Sequence, residues 1–537
     1  MLFPDNGVAG VVSSFSIAFM CILGFSFFYL RRYRDPYDNE RSPFITSVLG
    51  LAIVLVTSAL LPVDIFLVSF MKTPEGEFKP WAQDLDFREH VEDVMLYCYY
   101  AAYALVFFCL FILIPFIYFF YEAKDDDGYD NDGRICSALK FTLIFVFVAV
   151  VLLLLGAFVP LKPPPPTNST EWERIKEIFE NLGANKGEDA ISMVLSILCA
   201  MGMLNLIFYT GFGVSSWPIG LIRGTSSARR QFEEIQNRNI VIQTRINALR
   251  DKQRITNRLN AREKRLLAKL EEEERNMKRE EEIVDRHVNS WWYKLRTVIR
   301  PFEIGLGTVT AILAFVLWIS LLLTNIDRDL HSMGMKMGYA LQNFTLPNPI
   351  DMLLIESQKV FPLDYFIILG ITWLLVMCTL SGIRNLGVRL FLVKMYKLRR
   401  RKTPPQGLLL TCATLMLTVL AINVFLYSVS PQYMTYGNQH YMESKPNETN
   451  SELHVTRACP DPNFPRNCTM TRNSALLVRF FYKAWYFGAF YHWATWGYIV
   501  ISALALMYAL IRKSRTITEG MFDSEDFEES DERPMIR

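Results

Sequence analysis

Nine runs of this chain, at 8–30, 44–71, 95–121, 141–161, 191–214, 304–325, 365–383, 407–429 and 485–511, are apolar over roughly the length a helix needs to cross a hydrocarbon core. Inside lipid no water reaches the backbone, so each run must satisfy its own N–H and C=O groups, and a helix is the form that does so. The run 141–161 contains no charged residue at all, which separates it from the buried helix of a water-soluble core. Composition agrees: 51% of the 537 residues are hydrophobic and only 20% charged. The fold class expected is all-α, a polytopic membrane protein with about nine transmembrane helices.

Two independent signals orient these spans. Arg31, Arg32 and Arg34, the basic loop 215–302, the stretch Arg389 to Lys402, and Arg512, Lys513 and Arg515 all fall on one side if the spans simply alternate. The positive-inside rule makes that side cytosolic. The four N-x-[ST] sequons, at Asn168, Asn343, Asn447 and Asn467, all fall on the other side, where glycans are added. The N-terminus is then luminal and the C-terminus cytosolic. Loop 122–140 is more acidic than basic, but acids weigh little in this rule. The first run lacks the basic lead and small-residue cleavage site of a signal peptide, so it is expected to stay as an anchor.

The order of parts follows. Residues 1–214 form a block of five spans, 215–302 a charged helical insert, and 303–429 a second block of three spans. Residues 430–484 are a luminal loop, 485–511 the ninth span and 512–537 an acidic cytosolic tail. Six of the nine cysteines lie in spans, while Cys459 and Cys468 share the luminal loop, where an oxidising compartment favours a bridge between them. The insert keeps its apolar heptads (Ile242, Ile246, Leu249, then Leu259, Leu266, Leu270, Met277) in two pieces. That break reads as an antiparallel helical pair or a stutter, not one long coiled coil. Pro163 to Pro166 form a stiff polyproline spacer before Asn168.

Within the spans, two similar segments stand out: Pro62-Val63-Asp64-Ile65-Phe66 and Pro362-Leu363-Asp364-Tyr365-Phe366. Intramembrane carboxylates are candidate ion or proton sites, or interhelical fastenings. Asp364 would sit at a helix N-terminus, where the macrodipole suits an anion, and Asp64 falls just beyond its span if that span ends at Pro62. Asn205, Asn423 and His492 read as interhelical hydrogen-bonding residues. The sequence has no G-x-x-x-x-G-K-[ST] phosphate loop, no H-E-x-x-H and no G-x-S-x-G, so no enzyme chemistry, metal site or cofactor is expected. Asp329 to Gly334 matches the D-x-H-x-x-G pattern by which some enzymes ligate the cobalt of cobalamin, here through His331. The thirty or so residues before the next span are too few for the α/β domain that carries that motif, and a capping Asp on an amphipathic segment is the plainer reading.

From ITSVLGLAIVLVTSALLPVDIFLVSFMK (45–72) onward the chain resembles the LMBR1-like (limb region membrane protein) family along nearly its whole length. Further matching blocks are YEAKDDD (121–127), LLLLGAFVPL (152–161), NSTEWE (168–173), VFPLDY (360–365), GIRNLG (382–387) and SPQYMTYG (430–437). The resemblance implies nine spans, a lysosomal membrane location and a part in moving cobalamin (vitamin B12) to the cytosol with a subfamily-D ABC transporter as partner. Cobalamin is then cargo, and whether it touches this chain stays open. The family is similar to lipocalin-interacting membrane receptors, which leaves a receptor or endocytic adaptor at the plasma membrane as an alternative; a secondary transporter using Asp64 is another. Neither Tyr293 nor Tyr396 is followed by the hydrophobic residue that clathrin adaptors read, so clathrin adaptor machinery, the endoplasmic reticulum as a further location and homo-oligomer formation stay open as well.

Overall fold

The computed structural model describes residues 5–35, 41–73, 75–123, 131–158, 186–223, 228–256, 291–332, 346–358, 362–390, 393–398, 403–446, 452–459, 468–483 and 485–511, with isolated positions at 267–278, 334–339 and 360. The four sequon asparagines Asn168, Asn343, Asn447 and Asn467, the polyproline spacer and the acidic tail lie outside them. Helices α1 (Asp5–Arg31), α2 (Ser42–Phe70), α3 (Leu85–Glu122), α4 (Asn131–Phe158) and α5 (Lys186–Asn205, running on to Arg223) make up the first half. The insert supplies α6 (Ala228–Thr256), and α7 (Trp291–His331), α8 (Pro349–Ser357) and α9 (Leu363–Leu386) follow. A short antiparallel hairpin, β1 (Val388–Leu390) and β2 (Val393–Tyr396), leads to α10 (Pro405–Val429) and α11 (Pro431–Tyr436). A second hairpin, β3 (His440–Pro446) and β4 (Glu452–Ala458), precedes α12 (Arg472–Lys483) and α13 (Trp485–Ile511). Among the described residues eight helices are long and apolar enough to cross a bilayer, and α1 covers the first of the nine expected runs.

The helices differ from the apolar runs where polar chemistry extends or bends them. α3 starts ten residues before its run because Asp84 caps it, accepting from the backbone N–H of Asp86 at 3.2 Å. Near its other end Pro115 has no N–H to give, and the ladder opens into a π turn at Cys109–Leu113 just before it. α7 is 41 residues long, far beyond the apolar run 304–325, because its polar ends stay helical.

The chain divides into two compact units, 1–216 with 312–506, and 217–311 with 507–537. At the centre of the first lies α10, packed on α2 and α5, with 78% of its apolar window buried against 17% for α4 at the rim. α5 and α9 cross so closely that a Cβ on Gly213 would strike the Cys378 carbonyl, and one on Gly382 the Tyr209 carbonyl. Beside this crossing α5 carries its own π turn, Leu206–Thr210, and Thr210 and Thr379 share a hydroxyl hydrogen bond of 2.7 Å. In the second unit Arg223 donates to the carbonyls of Ala509 (2.6 Å) and Leu510 (2.9 Å), and Arg300 to those of Leu221 (2.8 Å) and Ile222 (2.6 Å). Each guanidinium thus caps the carbonyl end of another helix. Ile242 and Ile246 of α6 pack on Leu270, and Gln243 bonds Glu274 at 3.3 Å, so the partner register runs backwards along α6, as in an antiparallel pair.

Candidate functional site

Residues 430–446, 452–459 and 468–483 form a cap over the ends of α2, α8 and α9, and buried carboxylates hold it there. Asp64 is 1% exposed and not beyond its span: α2 passes through Pro62 to Phe70. Its carboxylate accepts from the backbone N–H groups of Asn473 (2.9 Å) and Arg472 (3.4 Å) and from the Tyr99 hydroxyl (3.3 Å). Those two amides open α12, whose positive dipole end therefore rests on an anion from another helix. The Arg472 side chain reinforces the joint through Glu92 of α3 at 2.6 Å.

Asp364 lies in the first turn of α9, as its sequence position implies, and is also 1% exposed. It accepts from the Tyr433 hydroxyl at 3.0 Å and from Asn438 Nδ2 at 3.4 Å. The two echoed segments meet: the Phe66 and Tyr365 rings lie edge to face with centroids 5.1 Å apart, and Ser69 accepts from the Asn438 amide at 3.1 Å.

A third carboxylate, Asp351, has no counterpart in the sequence expectations. It accepts from the Ser430 hydroxyl and from the Tyr433 N–H at 3.1 Å, so Tyr433 serves two carboxylates with its two donors. Burial pushes the Asp351 carboxyl up to about 6, against the pull of those donors, and burial likewise raises the Tyr433 phenol, which stays a donor. Asn348 sets Asp351 in place: its Oδ1 accepts from the amides of Ile350 (3.0 Å) and Asp351 (3.3 Å), while its Nδ2 donates to the Val429 carbonyl (2.7 Å) and Thr324 (2.9 Å). The signal was present as Asn348-Pro349-Ile350-Asp351, an Asn cap, a first-turn Pro and an acid at the third position. It sits between the apolar runs 304–325 and 365–383, where hydropathy marks nothing.

The cap is stitched internally too. Cys459 and Cys468 are bridged, with Cα atoms 6.0 Å apart. Gln439 clamps Thr469 by both backbone groups, at 3.0 and 2.7 Å, and Gln432 donates to the Cys459 carbonyl at 3.1 Å. Lys72, at the end of α2, donates to the His440 carbonyl at 3.0 Å.

His331 ends α7, and its Nδ1 meets Asp327 at 2.9 Å. The expected capping role of Asp329 does not hold. Because α7 is continuous to His331, Asp329 stands in its last turn, where it accepts from His492 Nε2 (2.8 Å) and Trp496 Nε1 (3.2 Å) of α13. Those donors offset an acid at the negative end of a helix. His492 and Asn423, which bonds the Tyr103 hydroxyl at 3.4 Å, join helices as their positions suggest; no bond of Asn205 stands out. Among the described residues no group of three or more His, Cys, Asp or Glu is placed to hold a metal ion. Between α7, α8 and α11 lies a half-open cavity of about 280 Å³ that Asp327 and Asp351 both line.

Spans enclosing a central α10, with a disulfide-bridged cap fastened to buried carboxylates, define a polytopic helical membrane protein with an elaborated extramembrane face. The family model for LMBR1-like membrane proteins matches residues 12–291. The lysosomal cobalamin transport escort protein LMBD1 of Gallus gallus is 39% identical over 527 residues, 96% of this chain and 96% of its own. Its Homo sapiens counterpart is 40% identical over 530 residues, 97% of this chain and 96% of its own, and the probable lysosomal cobalamin transporter of Nematostella vectensis is 38% identical over 545 residues, 99% of both. The chain belongs to the LMBR1-like membrane protein family. No solved structure matches it.

Proposed function

We propose that this chain is a non-catalytic escort in the lysosomal membrane, serving export of cobalamin to the cytosol by binding a subfamily-D ABC transporter and bringing it there. The observation that carries the reading is similarity over 96% or more of the chain to relatives named for lysosomal cobalamin transport. The absence of a phosphate loop from the sequence fits a protein whose partner supplies the ATPase. The basic clusters favour a cytosolic insert and C-terminus, which puts the cap in the lumen. The engagement of Asp64 and Asp364 by cap donors favours fastening over carboxylate-coupled transport, the secondary-transporter alternative.

Deleting the gene, feeding labelled cobalamin and separating lysosomes from cytosol tests this. Lysosomal trapping that the wild-type chain corrects is expected, along with co-purification of an ABC transporter. Normal cytosolic delivery, with the chain labelled mainly on the surface of intact cells, would instead favour a plasma-membrane receptor or endocytic adaptor.

A further inference from the structure

The cavity beside Asp351 has a composition that selects among ligands. Its polar floor is rich in acceptors: Asp327 and Asp351, 2% and 6% exposed, come from α7 and α8. Gln432 faces it from α11, and one of the two N–H groups of its amide is spent on Cys459. Thr324 and Asn348 line it too, but the Asn348 side chain is already bonded to Thr324, to the Val429 carbonyl and to the amides that open α8. The rest of the wall is apolar, from residues such as Leu323, Ile355 and Pro431, with Met352 at the exposed rim. Such a mixture, apolar surface with a few fixed polar groups, is what small-ligand sites use, although about 280 Å³ is at the small end of their range.

A phosphate is poorly matched here: it would face the acids Asp327 and Asp351, with neither Lys, Arg nor His in the lining, and the nearby His331 is already spent on Asp327. A metal ion would find two acids there, and among the described residues no group of three or more His, Cys, Asp or Glu is placed to hold one. A group with N–H donors, a carbonyl and a short apolar stem matches every part. Primary amides on methylene arms, alternating with methyl groups, are what the rim of a corrin ring presents. The ring itself is too large to enter, but one arm and an adjoining methyl are not.

Building on the escort reading, we propose that this cavity docks an amide arm of the corrin ring of cobalamin, with the carboxyl groups of Asp327 and Asp351 facing the amide and the phosphate-bearing nucleotide tail held away. Cobalamin would then contact this chain at its cap, and by its corrin edge.

The test is equilibrium dialysis of radiolabelled cyanocobalamin against the purified full-length protein in detergent, with cobinamide, which keeps the amide arms but lacks the nucleotide, as competitor. Met352→Trp fills the mouth from an exposed position, and Ile355→Phe narrows the wall as a second variant. The expected result is saturable binding by wild type, at least tenfold weaker binding by both variants at an unchanged melting temperature, and displacement by cobinamide. Undetectable wild-type binding, unchanged binding by variants that fold, or failure of cobinamide to compete would overturn the assignment. Lysosomal trapping in cells lacking the chain judges the escort reading separately, so trapping without binding would remove the cavity proposal alone.

Discussion

Tyr433 spends its backbone N–H on Asp351 and its phenol on Asp364, and so ties α8 and α9 to the cap through one residue. Tyr433→Phe keeps the first bond and deletes the second, which deprives a buried carboxylate of its closest cap donor. A loss of about 1–3 kcal/mol is expected, read as a lower melting temperature of the detergent-solubilised protein; an unchanged value would show that the phenol is dispensable. Asp351 gives a pH-dependent counterpart. Burial holds its carboxyl at about 6, above the ordinary carboxylate value near 4, so the fold prefers its neutral form. Its contribution is complete below about pH 4 and is lost as pH rises through about 6, a change of up to roughly 3 kcal/mol. Wild type should therefore lose stability relative to Asp351→Asn between pH 4 and pH 7 in parallel thermal melts. Identical pH profiles would contradict this assignment of the proton.

At the scale of elements, the crossing of α5 and α9 rests on two glycines that each face a backbone carbonyl of the other helix. Gly382→Leu must push the helices apart, and overpacking of this kind costs about 1–3 kcal/mol or more. The expected readout is loss of monodisperse protein or a clear fall in melting temperature, whereas Gly370→Leu, whose added side chain meets open space on the same helix, should be nearly silent. The helices themselves were legible because long apolar runs leave the backbone one solution. Their ends were not: α7 runs well past 304–325 on polar residues, and α2 keeps its course through Pro62, neither of which hydropathy registers. Asp64 and Asp364 could be picked out as acids in apolar surroundings. Asp351 carries only the local signal of a helix start, and the bonds that give it weight come from Ser430 and Tyr433, which reach it from a distant stretch of chain. The start of α12 on Asp64 and the clamp of Gln439 on Thr469 depend on such long-range bonds, which carry no periodic signature.

For the whole molecule, buried carboxylates in a membrane protein whose relatives are named for transport invite a proton-coupled mechanism, yet the bonding of Asp64 describes a joint between α2 and the start of α12. A joint of this kind needs an acceptor, not a titrating group, and Asn caps a helix about as well as Asp. The decisive measurement is delivery of labelled cobalamin to the cytosol in cells that lack the chain and re-express Asp64→Asn, with the variant's lysosomal level checked against wild type. Delivery restored to the wild-type level is the result predicted for an escort whose Asp64 fastens the cap. Persistent trapping by a variant that reaches lysosomes in normal amount would contradict it and point to a carboxylate that works in transport.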